Sequence, residues 1–177
     1  MICRVLKRDD LVAFRALHRT ALAEAPHAFV ESAAQDAARS DDEVTAILDR
    51  GETWGALQDG RLVAKLVIDV LPYQALAHTR WLHGVYVNPE ARGSGAAAKL
   101  VDAAMQDARG RGVFRFVLWV NSENAAAKSF YEKLGFREIG RVPQGIAVGG
   151  TYADDVLMCH AHDPAPAPRL DASGLGA

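Results

Sequence analysis

The sequence predicts an α/β domain: a mixed, mostly antiparallel central sheet built around one parallel βαβ unit, with helices on both faces. Three observations carry this. Residues 79–87 read as a strand, 96–108 as a helix with one apolar stripe, and "VFRFVLWV" (113–120) as a second strand. That succession makes a parallel unit with a right-handed crossover. Asp59-Gly60 separates two strand-like runs as a hairpin turn. Two further strand-like segments, 137–142 and 151–160, close the ordered part of the chain.

Taken in order, residues 2–7 alternate weakly and read as a first strand. Asp9 or Asp10 is placed to cap a helix that carries Leu11, Phe14, Leu17 and Leu22 and stops before Pro26. Loop and short helical pieces follow, then a helix over "DDEVTAILDRG" (41–51), stopped by Gly51. The hairpin occupies 53–71, and the strand over 79–87 ends at Asn88-Pro89. In the next helix the apolar positions are 96, 97, 100, 101, 104, 105 and 108, so one face packs on a sheet. The run over 113–120 is almost continuously apolar, the pattern of a strand buried on both faces. "ENAAAKSFYEKLGF" (123–136) is a helix with Gly135 as its terminator. One domain over residues 1–162 is expected, followed by a disordered Pro/Ala/Gly-rich tail over 163–177.

Bulk properties exclude several functions. Of the 177 residues 50% are hydrophobic and 24% charged, an ordinary globular balance. A net charge of −2 gives no broad footprint for nucleic acid. No apolar run reaches the ~18 residues that a bilayer span needs, and no secretory core follows the N-terminus. No metal-ligand cluster is evident. Cys3 and Cys159 read as core thiols, which suits a cytoplasmic protein.

The chemistry concentrates in "NPEARGSGAAAKL" (88–100), where Arg92, Gly93 and Gly95 stand between a strand and a helix. Glycines there either make a tight turn or expose backbone amides to an anion at the positive end of the helix. The run lacks the Gly-Lys-Ser/Thr ending of a Walker loop and the third glycine of a dinucleotide fingerprint.

With its surroundings, "VYVNPEARGSGAA", a helix, a buried strand and "NSENAAAKSFYEKLGF", this run resembles the GCN5-related N-acetyltransferase (GNAT) family. The family's Arg/Gln-x-x-Gly-x-Gly/Ala pattern is met by Arg92, Gly93, Ser94, Gly95, Ala96 and Ala97. "EAPHAFVES" (24–32) resembles its first interhelical loop and "IGRVPQGIAVGGTYADDVLM" (139–158) its last hairpin, so the resemblance covers about residues 2–160.

The resemblance implies transfer of an acetyl group from acetyl-CoA, as co-substrate and with no metal, to a primary amine of a small molecule or peptide by direct attack. It implies that amides of residues 93–97 hold the coenzyme's pyrophosphate at the positive helix end, with Arg92 adding either a direct or a structural contact. Backbone groups of Val85, Tyr86 and Val87 would face the thioester, and one N–H would stabilise the oxyanion. Asn124, by the same resemblance, bonds the cofactor or caps its helix. Tyr131, matching the tyrosine of Asn-x-x-Ala-x-x-x-Tyr, would protonate the departing thiolate, or else it packs with Phe130 and Phe136. His83 stands near the position where many relatives carry a glutamate and is the candidate base, with a purely structural histidine as the alternative. The family also allows a homodimer. A non-catalytic acyl-CoA-binding regulatory module on the same scaffold is the competing reading, and residues 26–34 and 143–152 are expected to flank the acceptor.

Overall fold

A computed structural model of the chain describes residues 1–148 and 150–160. The boundary at residue 162 and the tail over 163–177 lie outside the described residues. The elements run β1 (Ile2–Val5), α1 (Leu11–Glu24), α2 (Ala33–Ala38), α3 (Asp41–Asp49), β2 (Thr53–Gln58), β3 (Arg61–Val70) and β4 (Thr79–Val87). They continue with α4 (Ala96–Gly110), β5 (Arg115–Asn121), α5 (Ala125–Lys133), β6 (Phe136–Val148) and β7 (Thr151–His160).

The strands form one sheet in the order β1-β2-β3-β4-β5-β7-β6. Every neighbouring pair is antiparallel except β4–β5, which α4 connects as the parallel crossover. The expected mixed, mostly antiparallel sheet is therefore the one formed.

Different helices cover the two faces. On one, the α4 stripe buries Ala96, Leu100, Val101 and Met105 in the main core with Leu66 and Ile68 of β3. Side chains alternate across a strand, so Lys65 lies on the opposite face, where α1 brings Phe14 against it. Phe14 also joins Leu6, Val44 and Leu48 in a second apolar cluster under α3. α3 starts where Ser40 and Glu43 cap each other's backbone amides, at 3.2 and 2.7 Å. Among the described residues no helix is long and apolar enough to cross a membrane.

Four expectations change. The first strand stops at Val5 rather than residue 7. Neither Asp9 nor Asp10 caps α1 with its side chain; Asp10 accepts two hydrogen bonds from Arg4, at 2.7 and 2.8 Å, and one from the Lys7 amide. A bidentate guanidinium outcompetes a single helix amide for that carboxylate. β6 runs on to Val148 instead of ending at 142, with its pairing interrupted between Val142 and Ile146. Pro143 has no amide to donate to the ladder, which explains that interruption. Finally, β5 is not buried on both faces throughout: Trp119 is 40% exposed. The reason for that is the gap described next.

Candidate active site

β4 and β5 pair only at Thr79–Arg115, Arg80–Phe116 and Trp81–Val117. Beyond Trp81 the two strands separate, while β5 keeps its antiparallel partner β7 on the far side through Asn121. A bulge in β4 accompanies the divergence. Lys65 is opposite Tyr86 and Val67 opposite His83, so Gly84 and Val85 together face Leu66 alone. Gly84 has φ +60, a left-handed conformation that costs glycine little and other residues more. A cleft of about 930 Å³ opens here, lined by Leu82, Gly84 and Val85 from β4 and by Trp119, Val120 and Asn121 from β5. Trp81 and Trp119 stack across the divergence with ring centroids 6.3 Å apart.

The glycine loop lies where β4 hands over to α4. Gly93 and Gly95 both have φ +79, and Gly95 is the residue before the first helical turn. No side chain caps that turn. The first intrahelical bond runs from Lys99 N to Gly95 O at 3.0 Å, so the amides of residues 96–98 have no helical acceptor, the arrangement that suits an anion. A Cβ built on either glycine would meet nothing within 4 Å, so the surface above the loop is open. The Ser94 hydroxyl is turned back onto Ala91 O at 2.6 Å.

Arg92 is committed elsewhere. Its guanidinium pairs with Glu24 at the end of α1 at 2.7 Å and lies 5.9 Å from the centre of the Tyr86 ring. The Tyr86 hydroxyl donates to the same Glu24 carboxylate. Arg92 thus fastens the loop to α1, the structural of the two contacts open to it, and the Tyr86 side chain is likewise packed away. Val85 and Val87, partly buried, pack against the main core; of the three expected residues Val85 lines the cleft, and Tyr86 and Val87 do not.

Tyr131 and Asn124 line the cleft from α5. Asn124 caps that helix, its Oδ1 accepting from Ala127 N at 3.0 Å. Tyr131 is 9% exposed, the buried residue of α5, whereas Ala127, Phe130 and Leu134 are only partly buried. Its ring meets Phe130 edge-on at 5.1 Å and Phe136 at 5.7 Å. Burial raises the phenol's pKa well above its ordinary value. Lys128 is bound to Glu138 at 2.7 Å.

The opposite end of the cleft carries charge. His83 is half exposed and sits 3.0 Å from Asp69 across the β3–β4 ladder. Ala28, Phe29 and Glu31 reach the cleft from the loop after α1, and Ile146 and Asp155 from the closing hairpin. Of the expected flanking segments, 26–34 thus lines the cleft with several residues and 143–152 with Ile146, while Asp155 lies beyond it; the side chain of His27 lies outside the described residues. Beneath Phe29 is a group that the sequence argument does not single out: Lys65, only 2% exposed. Its Nζ donates to Gly84 O at 3.1 Å, and burial lowers its pKa to about 8. A lysine flanked by apolar residues on both sides, in "LVAKLVI", is the available signal.

Comparison with known proteins follows the same line. The model of the acetyltransferase (GNAT) family matches residues 14–136. An L-methionine sulfoximine/L-methionine sulfone acetyltransferase of Pseudomonas paraeruginosa is 34% identical over 82 residues, 46% of this chain and 48% of that protein. The L-amino acid N-acyltransferase MnaT of Escherichia coli is 32% identical over 76 residues, covering 43% and 44%. Matches thus span about half the length of these curated relatives. Among solved structures, Salmonella typhimurium YncA with acetyl-CoA superposes with a TM-score of 0.80 at 22% identity, covering 96% of this chain and 98% of that one. A ribosomal-protein-alanine N-acetyltransferase from Brucella melitensis gives 0.77 at 22% identity, covering 90% and 98%. At such identities the superpositions speak for the fold alone.

Proposed function

The chain belongs to the acetyltransferase (GNAT) family, and from that premise we propose that it transfers an acetyl group from acetyl-CoA to a primary amine of a small molecule or peptide. The observation that carries this reading is the gap between β4 and β5, with a buried tyrosine on its wall and an uncapped helix start in the crossover that follows β4. In this reading the pyrophosphate binds amides among residues 93 and 95–97, the Ser94 amide being turned onto Ala91 O at 3.3 Å, with Arg92 holding the loop rather than the phosphate. Asn124 offers its Nδ2 to the coenzyme, since its oxygen is spent on the cap.

The amine nitrogen attacks the thioester carbonyl carbon, and the carbonyl oxygen becomes an oxyanion that a backbone N–H among Val85, Tyr86 and Val87 stabilises. Collapse breaks the C–S bond. The thiolate takes the Tyr131 proton, and the amine's surplus proton leaves to a base.

The acceptor's own pKa sets how much help that base must give. Deprotonating a lysine-type amine at pH 7 costs about 4–5 kcal/mol, and an α-amine about 1. His83, on Asp69 at the cleft mouth, is the base in this reading, through water. His83→Ala should then remove the acidic limb of the kcat/KM–pH profile. An unchanged limb makes His83 structural.

The reaction is tested with acetyl-CoA and a panel of amines, following release of free CoA. Release that depends on the acceptor is expected. Tight acetyl-CoA binding with no acceptor-dependent release would instead favour the regulatory module.

A further inference from the structure

We infer that Lys65 is a carboxylate-binding residue of the acceptor site, so that the favoured acceptors are amines carrying a nearby carboxylate, such as α-amino acids. This rests on the acetyltransferase reading above and deepens it. An ammonium has three donors, and Lys65 uses one, on Gly84 O at 3.1 Å. Among the described residues, the rings of Phe29 and Phe14 lie 5.0 and 5.9 Å from Nζ.

Neighbouring carboxylates do not take the other two donors. Glu31 is engaged by Arg39 at 2.5 Å and His18 at 3.1 Å. Asp36 is engaged by Arg19 at 3.6 Å and His18 at 3.9 Å. Neither lies within 4 Å of Lys65 Nζ. Burial lowers the pKa of His18 also, with the Lys65 charge as a second cause, so the imidazole adds no competing cation. Glu31 and Asp36 offset part of the burial penalty through space, and an arriving carboxylate would add the charge-assisted hydrogen bonds that they do not make.

The position matches that use. Lys65 is tied to Gly84, and Val85 is the next residue along the strand proposed to face the thioester. A carboxylate on Lys65 would leave an α-amino group, one carbon away, beside the attack site. Two free donors match the two oxygens of a carboxylate, and the apolar rings beside Nζ disfavour the extra charge and oxygen of a phosphonate.

The test compares α-amino acids with their decarboxylated amines and their aminophosphonate counterparts, using the wild type and Lys65→Met. Met keeps the stem and deletes the charge, and circular dichroism checks its fold. Wild type should favour the amino acid over the matched amine at least tenfold in kcat/KM. Lys65→Met should erase most of that ratio, mainly through KM. Equal kcat/KM for acid and amine in the wild type overturns the inference even if the variant fails to fold. So does a preference for the phosphonate, or a variant that keeps the ratio while kcat falls equally for both, the signature of a base. Calorimetric binding of the amino acids to the CoA-saturated protein decides the matter without turnover. A carboxylate-dependent Kd with no CoA release sinks the catalytic reading alone, and release without carboxylate dependence sinks Lys65 alone.

Discussion

Tyr131→Phe should lower turnover at pH 7 by about 10²–10⁴-fold, the usual scale for a positioned acid. Acetyl-CoA affinity should change far less, because the proton is needed only as the thiolate departs. The ring already fills its place between Phe130 and Phe136, so loss of one oxygen leaves the packing intact. The raised pKa of the buried phenol does not count against the role. Burial also makes a thiolate leaving into the same cleft more basic, a change in the same direction. An unassisted thiolate leaves more readily at high pH, and the Phe variant should recover part of its rate above about pH 8.5. Wild-type turnover by the variant at pH 7 would reduce Tyr131 to a packing residue.

Gly95→Asp should have the largest effect on the coenzyme. A carboxylate placed about 4 Å from a phosphate costs roughly 4 kcal/mol at an effective dielectric of 20. That is about 10²–10³-fold in acetyl-CoA affinity. The backbone contribution is separable, because a Cβ at Gly95 meets nothing within 4 Å while φ is +79. Gly95→Ala carries the conformational strain alone, about 1–2 kcal/mol, and should weaken binding much less than Asp. Equal affinity of folded Asp and Ala variants for acetyl-CoA would show that no phosphate sits there.

Local chemistry made most of the fold readable. The Asp59-Gly60 turn joins β2 to β3 directly, and both residues have positive φ, as a two-residue hairpin requires. The α4 stripe and the two strands around it fall where periodicity puts them, because one long helix on one sheet leaves few alternatives. The glycine loop was legible for the same reason: it breaks two regular patterns at once.

What stayed hidden depends on tertiary geometry. An apolar run says that a strand is covered, not that its partner will leave it; Trp119 is exposed because β4 turns away. The α5 stripe suggests Ala127, Phe130 and Leu134, yet Tyr131 is the residue buried. Its orientation is set by Phe136 and the cleft rather than by the helix's own pattern. Lys65 is the strongest case. Alternation assigns it to a face, and only the arrival of Phe14, Phe29 and α1 converts that face from surface to interior.

The divergence of β4 from β5 gives this sheet an edge in its middle. Exposed strand edges at a sheet's rim invite pairing with other chains, and a rim edge can be reached by any strand that comes near. The edge of β4 beyond Trp81 is instead recessed between two halves of one sheet. A partner for it must be extended and able to exchange hydrogen bonds with a backbone, which is the logic of strand addition applied inside a sheet. Recession between the two halves of the sheet thus shields this edge from the neighbours that a rim strand would meet.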